Sequence, residues 1–179
     1  MTRGPTASKN VGIMEDAKIS EDVAAHFIAE SRRYLSANYL PKVERCLDAL
    51  TDEDLWWRSG EESNSIGNLL LHLDGSTRMW VIGGVGGAPD RRDRQSEFDA
   101  REGVSRAELL ARLRATVAEA DEVLARLDTG TLLERRQIGD YDVTVLGAIL
   151  HAVEHFAMHA GQVIMLAKMR TGKDLRLSD

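Results

Sequence analysis

Cysteine is almost absent from this 179-residue chain. Cys46 is the only one, so no intrachain disulfide can form. Proline is nearly as scarce, with three residues, while alanine, leucine, glutamate and arginine are plentiful; that balance favours helices. No apolar stretch of about 18 residues runs free of charge or histidine, so no membrane span is expected. Met1 to Ala17 lacks the apolar core of a signal peptide, which makes the cytoplasm the expected location. An excess of basic charge is missing too. The formal net charge is −6, which argues against a nucleic-acid binder. What is present is an ordinary globular mix, 43% hydrophobic and 29% charged, of a length that suits one domain with a sizeable core.

Residues 1–17 show no periodicity and read as a flexible arm, leaving 18–179 as a single domain. A first helix is expected from Ser20, with Glu21 and Asp22 at its positive end. Val23, Phe27, Leu35, Leu40, Val43, Leu47 and Leu50 recur near helical spacing, and Pro41 predicts a kink or break. Residues 51–57 read as a short capped turn of helix. A second helix over about 65–82 is capped by Asn64 or Ser65 and stopped by the glycine run at 83–87. Residues 83–104 then form a long charged connection. Ser105 and Glu108 make a capping-box pattern for a third helix reaching about 127. A second connection covers 128–142, and a fourth helix runs from near Thr144 to about Arg170, ahead of Gly172. The sum is an all-α four-helix bundle, with a long crossover that permits the second and third helices to run parallel.

The fourth helix is the most informative segment. From Val143 to Ala167 its polar side chains are Thr144, His151, Glu154, His155, His159 and Gln162, the mark of a buried helix. His151, His155 and His159 lie four apart and form a stripe that Gln162 extends. Buried imidazoles need partners, and a metal ion is one. His151 and His159 are separated by about 12 Å along the axis, too far to share an ion. A site therefore takes His151 with His155, or His155 with His159. A third ligand must come from elsewhere. His72 is the odd polar residue in an apolar stretch of the second helix, and Asn68 and Ser76, four residues either side, are candidates to fix its tautomer. A single buried histidine is ordinarily a hydrogen-bonded core residue; a pair at i, i+4 together with a third on another helix fits that reading less well. The His-Glu-x-x-His pattern of metalloproteases is absent, since Phe156 or Ala152 stands where the glutamate belongs.

The segments Asn-Ser-Ile-Gly-Asn-Leu-Leu-Leu-His-Leu (64–73) and His-Ala-Val-Glu-His-Phe-Ala-Met-His-Ala-Gly-Gln (151–162) resemble the DinB/YfiT-like superfamily of metalloenzymes, and the likeness spans about residues 20–170. Residues 83–98 look like a less characterised branch. The resemblance implies an up-down-down-up bundle, often a homodimer, with zinc or nickel held by one histidine of the second helix and two of the fourth. By motif these are His72, His155 and His159, leaving His151 as an acid/base group or substrate contact. Many members read His-Arg-Gly-Gln where this chain has Ala160, so no role of that arginine carries over. Relatives include transferases and isomerases that use low-molecular-weight thiols, which implies a metal-dependent transferase acting on a small molecule. The alternative is a non-catalytic metal-binding or small-molecule-binding bundle of the stress response.

Other features read as structural. Cys46 and the tryptophans 56, 57 and 80 suit a core or an interface, and His26 suits the surface. The glycines at 83–87 follow a helix rather than a strand, so they are a turn and no dinucleotide fingerprint. Arg91, Arg92 and Arg94 alternate with Asp90 and Asp93 as a solvated loop would.

Overall fold

The computed structural model describes residues 6–177, and its architecture is almost wholly helical. The first helical rod is continuous through three segments: α1 (Thr6–Arg33), a π-helical stretch (Tyr34–Tyr39) and α2 (Leu40–Asp48). Helix begins at Thr6 rather than near Ser20, because residues 7–18 are rich in helix formers even though they lack an apolar stripe. Residues 1–5 of the expected arm lie outside the described residues. Pro41 does not break the rod. Its missing N–H is absorbed where the ladder slips by one residue, and the Leu40 N–H donates to the carbonyl of Leu35, five residues back.

The short α3 (Asp52–Trp56) is held by a reciprocal capping box between Thr51 and Asp54. The second rod is α4 (Ile66–Thr77), started by a like box between Ser65 and Asn68, and continued by π-helical turns over Arg78–Val85. Helix thus runs three residues into the glycine run, to Val85, instead of stopping at Gly83. Small residues are needed there, since a Cβ on Gly84 would lie 2.7 Å from Cγ1 of Ile138. The charged connection also has structure of its own, α5 (Arg94–Asp99), capped by Asp93. The third rod is α6 (Arg106–Ala125). Of the expected box at its start, the Ser105 half forms, its hydroxyl accepting from the Glu108 N–H.

Residues 128–142 were expected to be a plain connection. They contain a turn at Thr129–Thr131 and half of an antiparallel hairpin, β1 (Arg135–Ile138) with β2 (Tyr141–Thr144), Ile138 facing Tyr141. Gly139, at φ 56°, takes the first place of the two-residue turn, where a side chain would be strained. The fourth rod is α7 (Val145–Thr171), capped by Thr144 and ending at Gly172.

The four rods enclose one core, with Leu47, Leu69, Leu73, Leu113, Ile149 and Phe156 fully buried. α4 packs on both α6 and α7, which brings the apolar second and fourth helices of the sequence side by side. α7 departs from expectation in one respect. Its apolar surface does not mean burial all round, because Leu150, Met158, Met165 and Met169 stand exposed on one face.

Candidate metal centre

α4 presents His72 inward because Ile66, Leu69, Leu70 and Leu73 share the buried side of the same turns. α7 presents His155 and His159 one turn apart, beside the buried Phe156 and Ala160. Where the two helices pack, the ring nitrogens converge. Nε2 of His155 lies 3.0 Å from Nε2 of His72 and 3.2 Å from Nε2 of His159. Ligand nitrogens about 2.0–2.1 Å from a tetrahedral ion stand about 3.4 Å apart, so the three are already close to a chelating arrangement. Among the described residues they form the sole cluster of histidine, cysteine or carboxylate ligand atoms able to share an ion. His151 stays outside it, as its axial distance requires. Its ring packs 4.1 Å from Trp80 and 5.4 Å from the ring of His155.

The surroundings of His155 and His159 suit metal binding. Burial, reinforced by His159, His72, His151 and Arg92 nearby, pushes His155 down to about 3. Burial also lowers His159, against a hydrogen bond that its ring donates to Gln162 and that raises it, and lowers His151, against the charge of Glu154. Neutral imidazoles are the form a metal takes. Two of the three rings have Nδ1 engaged. His159 Nδ1 lies 2.7 Å from Oε1 of Gln162, and His72 Nδ1 lies 2.9 Å from Oε2 of Glu97. A proton on Nδ1 of either ring would leave its Nε2 lone pair facing the centre. Such a set of three borderline nitrogen donors fits a divalent ion such as zinc or nickel.

Glu97 and Arg92 were missed in the sequence. The expected partners of His72, Asn68 and Ser76, are not what meets its Nδ1. Asn68 instead caps α4 and donates from Nδ2 to the carbonyls of Glu97 (2.8 Å) and Ala100 (2.9 Å), tying α5 down over the site. Arg92 is no solvated loop residue: its Nε donates to Glu97 Oε1 at 2.6 Å, and its side chain is 9% exposed. Burial raises the Glu97 carboxyl, but the hydrogen bonds and charge of Arg92 and His72 outweigh it and hold the group below the usual carboxylate range. The sequence does carry one faint signal. Asp93 ahead of Ser96 is an N-cap pattern inside the charged stretch, and Phe98 behind it packs its ring 4.9 Å from His72.

Other expectations held. Cys46 is fully buried, with its thiol pushed up to about 11 by burial, so it is no nucleophile. His26 is exposed. Trp56 is a structural link, its Nε1 donating to the carbonyl of Val104 at 3.2 Å. Trp80 is buried but also walls a cavity of about 410 Å³ beside the histidines, together with Tyr141, His151, Met79 and Arg94. Among the described residues no helix is long and apolar enough to cross a membrane.

The fold has counterparts among solved structures. A DinB-like protein from Bacillus cereus ATCC 10987 superposes with a TM-score of 0.65 at 16% identity, over 83% of this chain and 93% of that one. A conserved protein from Enterococcus faecalis superposes with a TM-score of 0.66 at 16% identity, over 81% and 97%. At such identity the likeness concerns the fold alone. No curated relative matches the chain. The sequence profile of the mycothiol S-transferases matches residues 32–169, which includes all three converging histidines, and the chain therefore belongs to the mycothiol S-transferase family of DinB-like proteins.

Proposed function

We propose that the protein is a metal-dependent transferase that joins a low-molecular-weight thiol to a small electrophile, with His72, His155 and His159 as ligands to one zinc or nickel ion. The observation that carries the reading is the convergence of three imidazoles at the edge of a cavity of about 410 Å³, a size suited to small molecules. Three protein ligands leave coordination positions open, and an ion there supplies Lewis acidity that favours the thiolate form of a thiol. Gln162 orients His159, and Trp80 and Tyr141 shield the cavity from water. His151 is the base placed to receive the thiol proton, since its neutral imidazole faces the cavity without joining the triad. Sulfur then forms its bond to the electrophilic carbon as the leaving group departs with the bonding pair, and His151 returns its proton to solvent. The exposed Leu150, Met158, Met165 and Met169 on α7 fit a second copy of the chain, so the reading includes a homodimer.

Untagged protein purified without chelating resin tests this, with metal content by mass spectrometry and turnover assayed with mycothiol and other thiols against alkylating substrates. Near-stoichiometric metal and thiol conjugation, both lost in His155→Ala, are the expected results. Metal binding without turnover would leave a non-catalytic binding bundle. A wild type that takes up neither zinc nor nickel would overturn the assignment.

A further inference from the structure

We propose that Glu97, clamped by Arg92, is a positioning residue that commits His72 to the Nδ1–H tautomer and so makes it the fixed ligand of the triad. This rests on the reading of the triad as a metal site, but it concerns residues which that reading does not use.

The argument is one of donors and acceptors. An ionised carboxylate only accepts hydrogen bonds, and a guanidinium only donates them. Oε2 of Glu97 lies 2.9 Å from Nδ1 of His72 and 2.9 Å from Nη2 of Arg92, while Nε of Arg92 donates to Oε1 at 2.6 Å. The carboxylate is thus gripped at both oxygens. Nη2 of Arg92 also lies 3.0 Å from Nδ1. Were Nδ1 unprotonated, it could accept from Nη2 of Arg92, but its lone pair would also stand 2.9 Å from the carboxylate oxygen with no proton between them. With the proton on Nδ1, Oε2 accepts from imidazole and guanidinium alike. Nε2 then carries the lone pair and points at Nε2 of His155.

Burial makes the arrangement stiff. The His72 and Glu97 side chains are each 7% exposed. The segment bearing Glu97 is tied down at its far end, where Asn68 holds the carbonyls of Glu97 and Ala100 and Arg58 Nη2 donates to Asn68 Oδ1 at 2.6 Å. The other oriented ligand differs: His159 relies on Gln162, a neutral and exposed side chain on its own helix. One ligand is therefore held by a charged, buried pair from a separate segment, and the other by a solvent-facing amide. Partners of this kind are worth about 10–100-fold in metal affinity.

The test uses the full chain, uniformly labelled with nitrogen-15, and reads the His72 tautomer by nitrogen NMR in metal-free and zinc-loaded protein. Zinc affinity is measured in parallel by competition with a chromophoric chelator. The wild type is expected to show Nδ1–H at His72 before any metal is added. Glu97→Ala should give mixed tautomers and an affinity 10–100-fold lower, with an unchanged helical circular dichroism spectrum. Glu97→Gln keeps the shape and an acceptor oxygen, and should restore much of both. An Nε2–H tautomer in the metal-free wild type, or wild-type affinity and tautomer in Glu97→Ala, would overturn the proposal. If the wild type binds no zinc, the metal reading fails on its own, and the metal-free tautomer still decides the role of Glu97.

Discussion

Replacing Gly75 by alanine sets two ordinary effects against each other, and the structure says which wins. Gly75 lies inside α4, where glycine costs about 1 kcal/mol relative to alanine, so by propensity alone Gly75→Ala should stabilise. A Cβ there, however, would collide with Oε1 of Glu97 and stand 2.9 Å from Nε of Arg92 and 3.1 Å from Cδ of Glu97. A free carboxylate would swing away at little cost. This one is buried and held at both oxygens, so it must give up Arg92, His72 or both. Overpacking of this kind costs about 1–3 kcal/mol. The net expectation is a loss of up to about 2 kcal/mol instead of a gain, read from urea unfolding of the metal-free protein. Zinc affinity should fall about 10-fold as His72 loses its support. A variant about 1 kcal/mol more stable than wild type, with unaltered zinc affinity, would show that α5 is not docked on α4 as described.

Two further outcomes follow from the same structure. The unfolded chain protonates a histidine near pH 6.5, whereas native His155 resists until about 3, so acidification favours unfolding across that window. Each pH unit is worth up to about 1.4 kcal/mol, less here because the imidazole is only partly buried. The metal-free protein should lose about 1–2 kcal/mol between pH 7 and pH 5, and His155→Leu should flatten that slope; urea midpoints that hold steady or rise on acidification would contradict it. On α7, Met165→Glu should convert a dimer to a monomer in light scattering while leaving helix content intact; a monomeric wild type, or a variant that stays dimeric, would remove α7 as the contact face.

The histidine triad was legible because its signals are local. Histidines four apart on one helix, and a lone polar residue in an otherwise apolar one, announce themselves without knowledge of the packing. The support of that triad was not. Glu97 stands 25 residues from His72, in a segment whose charges read as solvated, and only the docking of α5 on α4 turns that segment inward. The π-helical stretches were hidden for a different reason: one extra residue per turn barely alters an apolar pattern, and Pro41 marks the place without saying how it is accommodated. The strands of the hairpin are four residues each and flanked by charge, too short to show alternation. The exposed methionines of α7 looked like core because apolar composition does not reveal which face lacks a neighbour.

The span between His72 and His155 bears on how the fold is held closed. These residues are 83 positions apart and come from two different rods. An ion gripping both is a cross-link, and closing a loop of that length in the unfolded chain costs about 4–5 kcal/mol of chain entropy on the usual model. In a protein with one buried cysteine, the histidines would do thermodynamically what a long-range disulfide does elsewhere. The difference is that such a cross-link would be undone by a chelator and remade by adding metal.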